Sequence, residues 1–374
     1  MALALAEAGH EIHQFSLNTN KHYVDPVSIP ASLKAKIHFH SISIDTSITI
    51  SGALKNLISS GSYNVERFFS KEAEVALINQ LNAHNFDIVQ LETLFATPYI
   101  ECIRKNSKAK IVFRAHNVEH VIWQRLSTQE TNFLKKFYLE FLASRMKTYE
   151  LKILKLIDAL VPITKIDEKI FLSFQFNKPY LTLPMSLDIR EYTFNLSEKK
   201  EMCLFHLGSM DWMPNVEAVN WFLNNCWQKI HQLFPDLRLY LAGRNFPTEI
   251  SGKHLSNVVC EGRIEDALDY MRKKQIMIVP LLSGSGMRVK IIQGLALGKT
   301  IVSTTIGAEG IPVENEKNIL IADSPEDFIS TLQRCMDNTE WCKNIGLAGR
   351  KFAEENYSNE SVADKLGQFY AKLK

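Results

Sequence analysis

Short apolar runs that alternate with segments of helical periodicity constrain the fold of this chain more than any other feature. Each run has the length of a buried strand, whereas segments such as 215–233 and 264–273 space their apolar residues as a helix does. The predicted strands are 11–17, 87–91, 110–114 and 159–163 in the first half, and 202–207, 237–243, 257–260, 275–281 and 300–303 in the second. Strands that alternate with helices predict βαβ units and parallel sheets.

The length of 374 residues favours two domains over one. The stretch 182–200 breaks the apolar rhythm and ends in a charge run, so we place the inter-domain connection there. Parallel α/β sheets bind ligands at the carboxyl ends of their strands. The fold class expected is therefore α/β, with two Rossmann-like domains whose parallel sheets face each other across a cleft.

Composition excludes several classes of protein. Apolar residues make up 46% of the chain and charged residues 22%, and the formal net charge of +2 gives no sign of a nucleic-acid partner. The six cysteines are scattered and form no C-x-x-C pair, which supports neither a zinc site of that type nor a disulfide framework. Without an apolar run of eighteen residues or a signal-peptide pattern, a cytoplasmic location is expected.

The first ten residues, MALALAEAGH, read as a helix that ends at Gly9 and leads directly into the strand 11–17. No strand precedes this helix. In a doubly wound sheet the missing element would be a central strand, so the N-terminal domain is expected to lack its first strand. We hypothesise that the natural gene product begins upstream of Met1.

The segment 279–304 is the most informative stretch for function. A predicted strand leads into a loop with Gly284 and Gly286, and a helix of about 288–297 follows. Glycines let a backbone approach a ligand closely, and the first N–H groups of a helix favour an anion. Arg288 and Lys290 add positive charge there, which suits a diphosphate. The alternative is a plain turn before a helix, although cations are unfavourable at that helix end without an anion.

The order G-S-G-x-R-x-K-x-x-x-G-x-A-x-G-K, followed by I-V-S-T-T-x-G-A-E-G, resembles the donor site of retaining glycosyltransferases of family 4. That family has the GT-B fold of two Rossmann-like domains. The segments 182–188, 206–222 and 239–245 resemble its linker and the start of its C-terminal domain. The resemblance implies an N-terminal acceptor-side domain at 1–185, a donor domain at 186–355 and a C-terminal helix at 356–374 that crosses back to the first domain.

The resemblance also implies that the donor is a nucleoside diphosphate sugar, bound as a substrate without a separate cofactor. The donor-site residues expected are Gly208, Ser209, Arg244, Ser285, Gly286, Met287, Arg288, Lys290, Gln293 and Glu309. Two departures stand out. The Glu-x7-Glu pair of many members falls on Ser285 and Gln293, so one charge-assisted bond to the ribose is lost. The cations that many members carry after the first strand of this domain are also missing, which gives their role to Arg288 and Lys290, with Arg244 as a weaker candidate.

Two residues of the first half are candidate catalytic residues. His116 lies in IVFRAHNVEH, which matches the R-x-H-N-x-E pattern of the family, whose histidine reaches the transferred sugar. Glu92 follows another strand and could orient the acceptor hydroxyl, or it could serve as a capping or salt-bridging carboxylate. A structural role for His116 is the alternative, and His120 is expected on a helix surface.

The predicted reaction transfers a sugar to a sugar or lipid-linked acceptor, with retention of configuration implied by the resemblance. Because the sequence has no Asp-x-Asp cluster, no metal is expected in the transfer. A catalytically impaired nucleotide-sugar-binding protein and a sugar-nucleotide epimerase remain alternatives. A dehydrogenase is disfavoured, since no G-x-G-x-x-G follows the first strand.

A long helix at 132–157 mixes aromatic, leucine and lysine residues. It could lie at the inner face of a membrane, which would suit a lipid-linked acceptor. The preferred interpretation is a helix packed on its own sheet, with its lysines solvated on the outer face.

Overall fold

The computed structural model describes residues 1–20, 23–47, 62–193, 201–252, 255–284 and 286–373. They form two compact units. Unit 1 comprises Met1–Met185 with Val362–Lys374, and unit 2 comprises Ser186–Ser361. The division after Met185 lies inside the stretch 182–200, where the sequence places the connection.

Unit 1 contains two parallel sheets and the helices that cover them. Its strands are β1 (His13–Thr19), β2 (His38–Ile44), β3 (Ile88–Glu92), β4 (Lys110–Ala115) and β5 (Ala159–Pro162). Its helices before the division are α1 (Ala2–Glu7), α2 (Ala31–Lys34), α3 (Tyr63–Glu66), α4 (Lys71–Ala83), α5 (Ile100–Asn106), α6 (Glu119–Gln129), α7 (Phe133–Leu156) and α8 (Lys165–Ser173). β1 pairs with β2, and β3, β4 and β5 form the second sheet in that order.

The two sheets of unit 1 are separated at β1 and β3. Residues of both strands line a cavity of about 1040 Å³. Among residues 1–20, 23–47 and 62–193, no strand lies between them. Gly9 follows α1 with a φ of +92°, in the left-handed region predicted for it.

Unit 2 contains one six-stranded parallel sheet. Its strands are β6 (Glu201–Leu207), β7 (Arg238–Ala242), β8 (Val258–Gly262), β9 (Lys274–Val279), β10 (Thr300–Ser303) and β11 (Leu320–Ile321). The spatial order is β11-β10-β9-β6-β7-β8, so the order reverses between β6 and β9. Open parallel sheets bind ligands at such a reversal, beyond the carboxyl ends of the strands.

The helices of unit 2 pack on its sheet and bury a large apolar core. They are α9 (Met213–Phe222), α10 (Gln228–Leu233), α11 (Thr248–Ser251), α12 (Ala267–Lys273), α13 (Val289–Ala296), α14 (Pro325–Asp337) and α15 (Thr339–Tyr357). A π-helical turn, Leu223–Trp227, joins α9 to α10. The single helix predicted at 215–233 is therefore one continuous element with a widened turn.

The last helix, α16 (Asn359–Ala371), packs on the second sheet of unit 1. Ser358 caps this helix, because its side-chain oxygen accepts from the backbone N–H of Ser361 at 3.1 Å. Val362 and Leu366 are fully buried in one cluster with Val112 and Val161. This packing explains why the terminal residues belong to unit 1.

All nine predicted strands are confirmed, with bounds shifted by at most two residues. Two strands, β2 and β11, were not predicted from the sequence. β2 (HFHSISI) is a mostly polar edge strand, and β11 has only two residues, so neither produces an apolar run of the expected length. No helix in the described part of the chain combines the length and apolar character that crossing a bilayer requires.

Candidate functional site

The loops after β6 and β7 meet closely in unit 2, and two glycines permit this. Gly243 has a φ of +150°, and a Cβ atom on it would lie 1.8 Å from the carbonyl oxygen of Gly208. A Cβ on Gly208 would in turn lie 2.7 Å from the amide nitrogen of Asn215. A side chain at Gly243 would therefore separate the two loops at the carboxyl edge of the sheet, and one at Gly208 would displace Asn215 in the first turn of α9.

Polar contacts fix these loops further. The hydroxyl of Ser209 donates to Asp211 at 2.8 Å, and the amide of Asn245 donates to the same carboxylate at 2.7 Å. These hydrogen bonds hold the pKa of Asp211 below its ordinary value. Arg244 contributes its backbone carbonyl, which accepts from Met210 N at 2.9 Å, while its side chain is exposed. The structure thus holds Ser209 and Arg244 in two neighbouring loops that these hydrogen bonds join.

The loop between β9 and α13 carries the glycines singled out in the sequence. Gly284 has a φ of +110°, and a Cβ on it would lie 2.7 Å from the Trp212 ring. Gly286 has a φ of +83° with open space around its Cα. Met287 is half-buried beside it, and Ser285 lies outside the described residues. Both glycines therefore adopt backbone conformations that other residues rarely take.

Arg288 is the residue at which α13 begins. It occupies the N-cap position, is only 6% exposed, and donates from Nη1 to the carbonyl oxygen of Gly286. Its guanidinium carbon lies 5.0 Å from the centre of the Trp212 ring, a cation–π distance. The guanidinium is therefore held beside the first N–H groups of α13, which already favour an anion.

Lys290 directs its ammonium group toward the end of β6. Its Nζ atom lies 3.0 Å from the carbonyl oxygen of Leu207 and 3.1 Å from Oδ1 of Asn215. Burial, together with the nearby charge of Arg288, lowers the pKa of Lys290 to about 7. Lys290 thus brings a cation from α13 to the loop after β6, where Gly208, Ser209 and Asn215 stand instead of the cations of the family pattern.

A buried histidine lies beneath this lysine. His206 is fully buried in β6, and its Nδ1 lies 3.1 Å from the carbonyl oxygen of Ile278. Burial and the charge of Lys290 lower the pKa of His206 to about 3, so the ring is neutral at physiological pH. No charge from His206 therefore opposes the two cations.

Gln293 and Glu309 complete the predicted donor set. The Nε2 atom of Gln293 donates to the hydroxyl of Tyr192 at 3.2 Å, which fixes the orientation of its carboxamide. Glu309 is half-buried in the turn after β10, and its backbone N–H donates to Ile306 O at 3.3 Å. Both residues therefore sit on elements anchored by other contacts within unit 2.

The candidate catalytic residues of unit 1 form one cluster at the carboxyl ends of β3 and β4. The Nε2 atom of His116 lies 2.7 Å from Oε2 of Glu92, and the Arg114 guanidinium lies 3.4 Å from the same oxygen. Burial alone would raise the pKa of Glu92, but the bond to His116 and the charge of Arg114 outweigh it and lower the pKa. Glu92 is therefore ionised at neutral pH.

The residue after Glu92 has a strained backbone. Thr93 has a φ of +79°, a conformation that costs a β-branched residue on the order of 1–3 kcal/mol. Its N–H donates to the carbonyl oxygen of Arg114 at 3.1 Å, which ties the ends of the two strands together. Strain of this kind accompanies many functional sites because the surrounding fold must maintain it.

The prediction that His120 lies on a helix surface is wrong. His120 is 6% exposed, and its Nδ1 lies 2.5 Å from Oε2 of the fully buried Glu150. The same carboxylate accepts from the backbone N–H groups of Glu119 at 2.8 Å and His120 at 3.2 Å. Glu150 thus satisfies the first N–H groups of α6 from inside the unit, a partnership over thirty residues that local sequence does not reveal.

The two halves of α7 differ. Residues Leu142, Met146 and Leu154 are buried, as expected for a helix packed on its own domain. The first two turns instead expose large apolar side chains, namely Phe133 (78%), Leu134 (76%), Phe137 (66%) and Tyr138 (42%). The preferred interpretation of this segment is therefore confirmed for its second half alone.

Three residues without a predicted role contact predicted site residues: Trp212, Tyr192 and Arg114. Arg114 is the first residue of the R-x-H-N-x-E pattern, so the sequence contained a signal from which its place in the site could have been predicted. Trp212 and Tyr192 reach their partners through contacts far apart in sequence, so no local pattern could identify them.

Parts of this chain are similar in sequence to known proteins. Residues 201–338 match the family model described as Glycosyl transferases group 1. A protein of Klebsiella pneumoniae, described as an uncharacterized 44.6 kDa protein in the cps region, is 24% identical over 287 residues, or 73% of this chain and 72% of the relative. An uncharacterized glycosyltransferase of Methanocaldococcus jannaschii is 27% identical over 146 residues, or 38% of this chain and 40% of that protein.

Solved structures resemble the whole chain. Sucrose-phosphate synthase from Thermosynechococcus elongatus superposes with a TM-score of 0.68 at 17% identity, covering 100% of this chain and 91% of that protein. The Anabaena protein HepE in complex with UDP superposes with a TM-score of 0.61 at 11% identity, covering 91% of this chain and 88% of that one. At these identities the likeness establishes the shared fold.

Proposed function

We propose that this chain, a glycosyltransferase with the GT-B fold, transfers a sugar from a uridine diphosphate sugar to a hydroxyl acceptor with retention of configuration. The observation that carries the proposal is the placement of Arg288 and Lys290 at the amino end of α13, beyond the carboxyl end of β9. Two fixed cations beside helix N–H groups form a site for a diphosphate. The UDP bound to HepE supports uridine as the base.

The main contribution of unit 2 to the rate is electrostatic. As the bond from the sugar anomeric carbon to the diphosphate oxygen breaks, negative charge grows on the leaving group. Arg288, protonated Lys290 and the first N–H groups of α13 stabilise that charge without reorganising. In this scheme the cations of the protein take the role that a metal takes elsewhere, so the reaction proceeds without a divalent ion.

Glu92 and His116 serve the sugar and the acceptor. The 2.7 Å contact between them fixes the His116 ring, which then presents a hydrogen-bonding edge to the transferred sugar. Glu92 is ionised, so it can accept a hydrogen bond from the acceptor hydroxyl. Arg114, which is bonded to Pro184 O at 2.8 Å, keeps the carboxylate in place.

The acceptor in this proposal is a sugar, free or lipid-linked, of a surface polysaccharide. The relative encoded in the Klebsiella cps region supports a role in polysaccharide synthesis. The apolar tip of α7, Phe133, Leu134, Phe137 and Tyr138, supports contact with a membrane surface. Lys135 and Lys136 lie between these residues and would pair with anionic headgroups.

A turnover assay tests the function. The purified protein is incubated with UDP-, GDP-, ADP- and TDP-linked sugars, with and without sugar acceptors, and release of nucleoside diphosphate is measured in the presence of a chelator. We expect acceptor-dependent release of UDP that resists chelation, with product of unchanged anomeric configuration by NMR. Donor binding without release would indicate a binding protein, and an altered sugar formed without acceptor would indicate an epimerase. Either result would overturn the proposal.

A further inference from the structure

The amino ends of β1 and β2 gather histidine rings on one face of their sheet. The parallel register pairs His13 with His38, and two residues later Phe15 with His40. Because side chains alternate along a strand, His13, His38 and His40 share a face. Their rings stack, with centroids 4.5 Å apart for His13 and His38 and 5.7 Å apart for His13 and His40.

Two further residues join this cluster. His84, directly after α4, packs against His13 with ring centroids 4.3 Å apart. The Oε1 atom of Glu11 lies 3.0 Å from Nε2 of His13. One ligand atom each from Glu11, His13 and His38 all lie within 4.8 Å of one another. Ligands of a tetrahedral zinc ion are about 3.4 Å apart, given metal–nitrogen distances of about 2.1 Å, so small side-chain rotations suffice.

Packing alone does not explain the cluster. The side chain of His13 is 7% exposed, and its Nδ1 is buried without a hydrogen-bond partner among the described residues. The Nε2 atom of His40 is likewise buried without a hydrogen-bond partner among the described residues. A buried polar atom without a partner costs on the order of 1–3 kcal/mol, so two such atoms in one cluster favour a site that binds a ligand.

The chemistry of the cluster also suits a metal ion. Neutral imidazole is the form that binds a metal. The carboxylate of Glu11 supplies negative charge at the exposed side of the cluster, 3.0 Å from Nε2 of His13.

We propose that Glu11, His13 and His38 bind a divalent transition-metal ion of the zinc class, with His84 as the nearest further imidazole. Imidazole ligands favour zinc, nickel and copper, whereas magnesium and calcium prefer oxygen. The site joins β1, β2 and the segment after α4. Its ligands lie at the amino ends of their strands, while Glu92 and His116 follow the carboxyl ends of β3 and β4. The ion is therefore structural and separate from sugar transfer.

The test uses untagged, chelator-treated full-length protein, titrated with Zn²⁺ by calorimetry and with Co²⁺ by visible absorption. Wild type should bind one Zn²⁺, show the absorption of low-coordinate Co²⁺, and unfold at higher temperature with Zn²⁺ than with Mg²⁺. Glu11→Gln and His38→Ala should each weaken Zn²⁺ binding at least tenfold. Both residues are exposed, so the fold should tolerate these changes.

His10→Ala is the matched control, because His10 is an exposed histidine near the cluster that is not one of its members. This variant should bind Zn²⁺ as wild type does. Two results would overturn the proposal. One is Zn²⁺ binding by His38→Ala and Glu11→Gln with wild-type affinity, and the other is no Zn²⁺-dependent rise in the unfolding temperature of wild type.

Discussion

The Nζ atom of Lys290 lies 3.0 Å from the carbonyl oxygen of Leu207, the last residue of β6. This contact attaches the first turn of α13 to the strand at the centre of the unit 2 sheet. With Asn215 as its second acceptor, the ammonium group has one of its three N–H donors left for a ligand. A cation held in this way is already oriented before a diphosphate arrives.

The lowered pKa of Lys290 predicts that donor binding is linked to protonation. In the free protein the pKa is about 7, and a bound diphosphate would raise it by favouring the charged form. UDP binding at pH values just above 7 should therefore be accompanied by proton uptake, and affinity should fall as pH rises through this range. Calorimetry in buffers of different ionisation enthalpy measures the uptake. Lys290→Met should abolish it, and its absence in wild type would contradict the assignment.

The same shift has a consequence for stability. Between pH 7 and the ordinary lysine value of 10.5, the unfolded chain binds a proton at this site that the folded protein does not. The contribution of Lys290 to the free energy of unfolding therefore rises with pH across that window.

Gly284 and Gly286, in the loop between β9 and α13, are expected to respond differently to substitution by alanine. In Gly284→Ala the new Cβ would meet the Trp212 ring at 2.7 Å and an Arg288 nitrogen at 2.9 Å, whereas in Gly286→Ala it would meet nothing within 4 Å. Both variants carry the conformational cost of a positive φ, about 1 kcal/mol. UDP affinity by calorimetry should fall at least tenfold in Gly284→Ala and much less in Gly286→Ala. Equal UDP affinities in both variants would show that the packing of Trp212 against Gly284 does not contribute to UDP binding.

The sequence predicts the fold well because parallel strands buried on both faces are continuous apolar runs. β9 (KQIMIV) and β10 (TIVS) show this clearly. β2 was not predicted because it is an edge strand in which four of seven residues are polar, and two of these, His38 and His40, belong to the histidine cluster. Polar side chains in a strand interrupt the apolar run from which a strand is predicted.

Candidate site residues can be proposed from sequence where their chemistry depends on a local pattern. Gly284, Gly286, Arg288 and Lys290 lie within seven residues, so one segment suggests a phosphate site. The contact of Lys290 with Leu207, by contrast, spans 83 residues. His120 was misassigned for the same reason, because its partner Glu150 lies thirty residues away on another helix. Partners brought together by the fold leave no signal in a single sequence.

Glu92 is predicted to affect turnover and leave donor binding unchanged. In Glu92→Gln the carboxylate that contacts His116 and Arg114 becomes a neutral amide, so the bonds to the ring and to the acceptor hydroxyl lose their charge assistance. Transfer rates should fall about a hundredfold, the lower range for loss of such a group, with UDP affinity unchanged. Glu101→Gln, an exposed glutamate on α5, is the control and should keep wild-type rates. Normal transfer by Glu92→Gln would contradict this role.

The apolar tip of α7 predicts binding to anionic vesicles. Phe133 and Phe137 are 78% and 66% exposed, and transferring two such rings from water to a bilayer interface contributes a few kcal/mol. The double variant Phe133→Ser with Phe137→Ser should float with anionic vesicles at least tenfold less than wild type. Val27→Ser, at an 82% exposed site elsewhere, should not change flotation. Flotation of the double variant at the wild-type level would rule out this surface.

In the proposed reaction Arg288 holds the diphosphate of the donor, and calorimetric titration with UDP measures this interaction. The variant Arg288→Gln is compared with Arg334→Gln, because Arg334 also stacks on a tryptophan, with its guanidinium carbon 3.8 Å from the Trp341 ring, but lies on α14. We predict at least tenfold weaker UDP binding for Arg288→Gln, the effect of losing a charged hydrogen bond, and unchanged binding for Arg334→Gln. Wild-type UDP affinity in Arg288→Gln would contradict the assignment of Arg288 to the diphosphate.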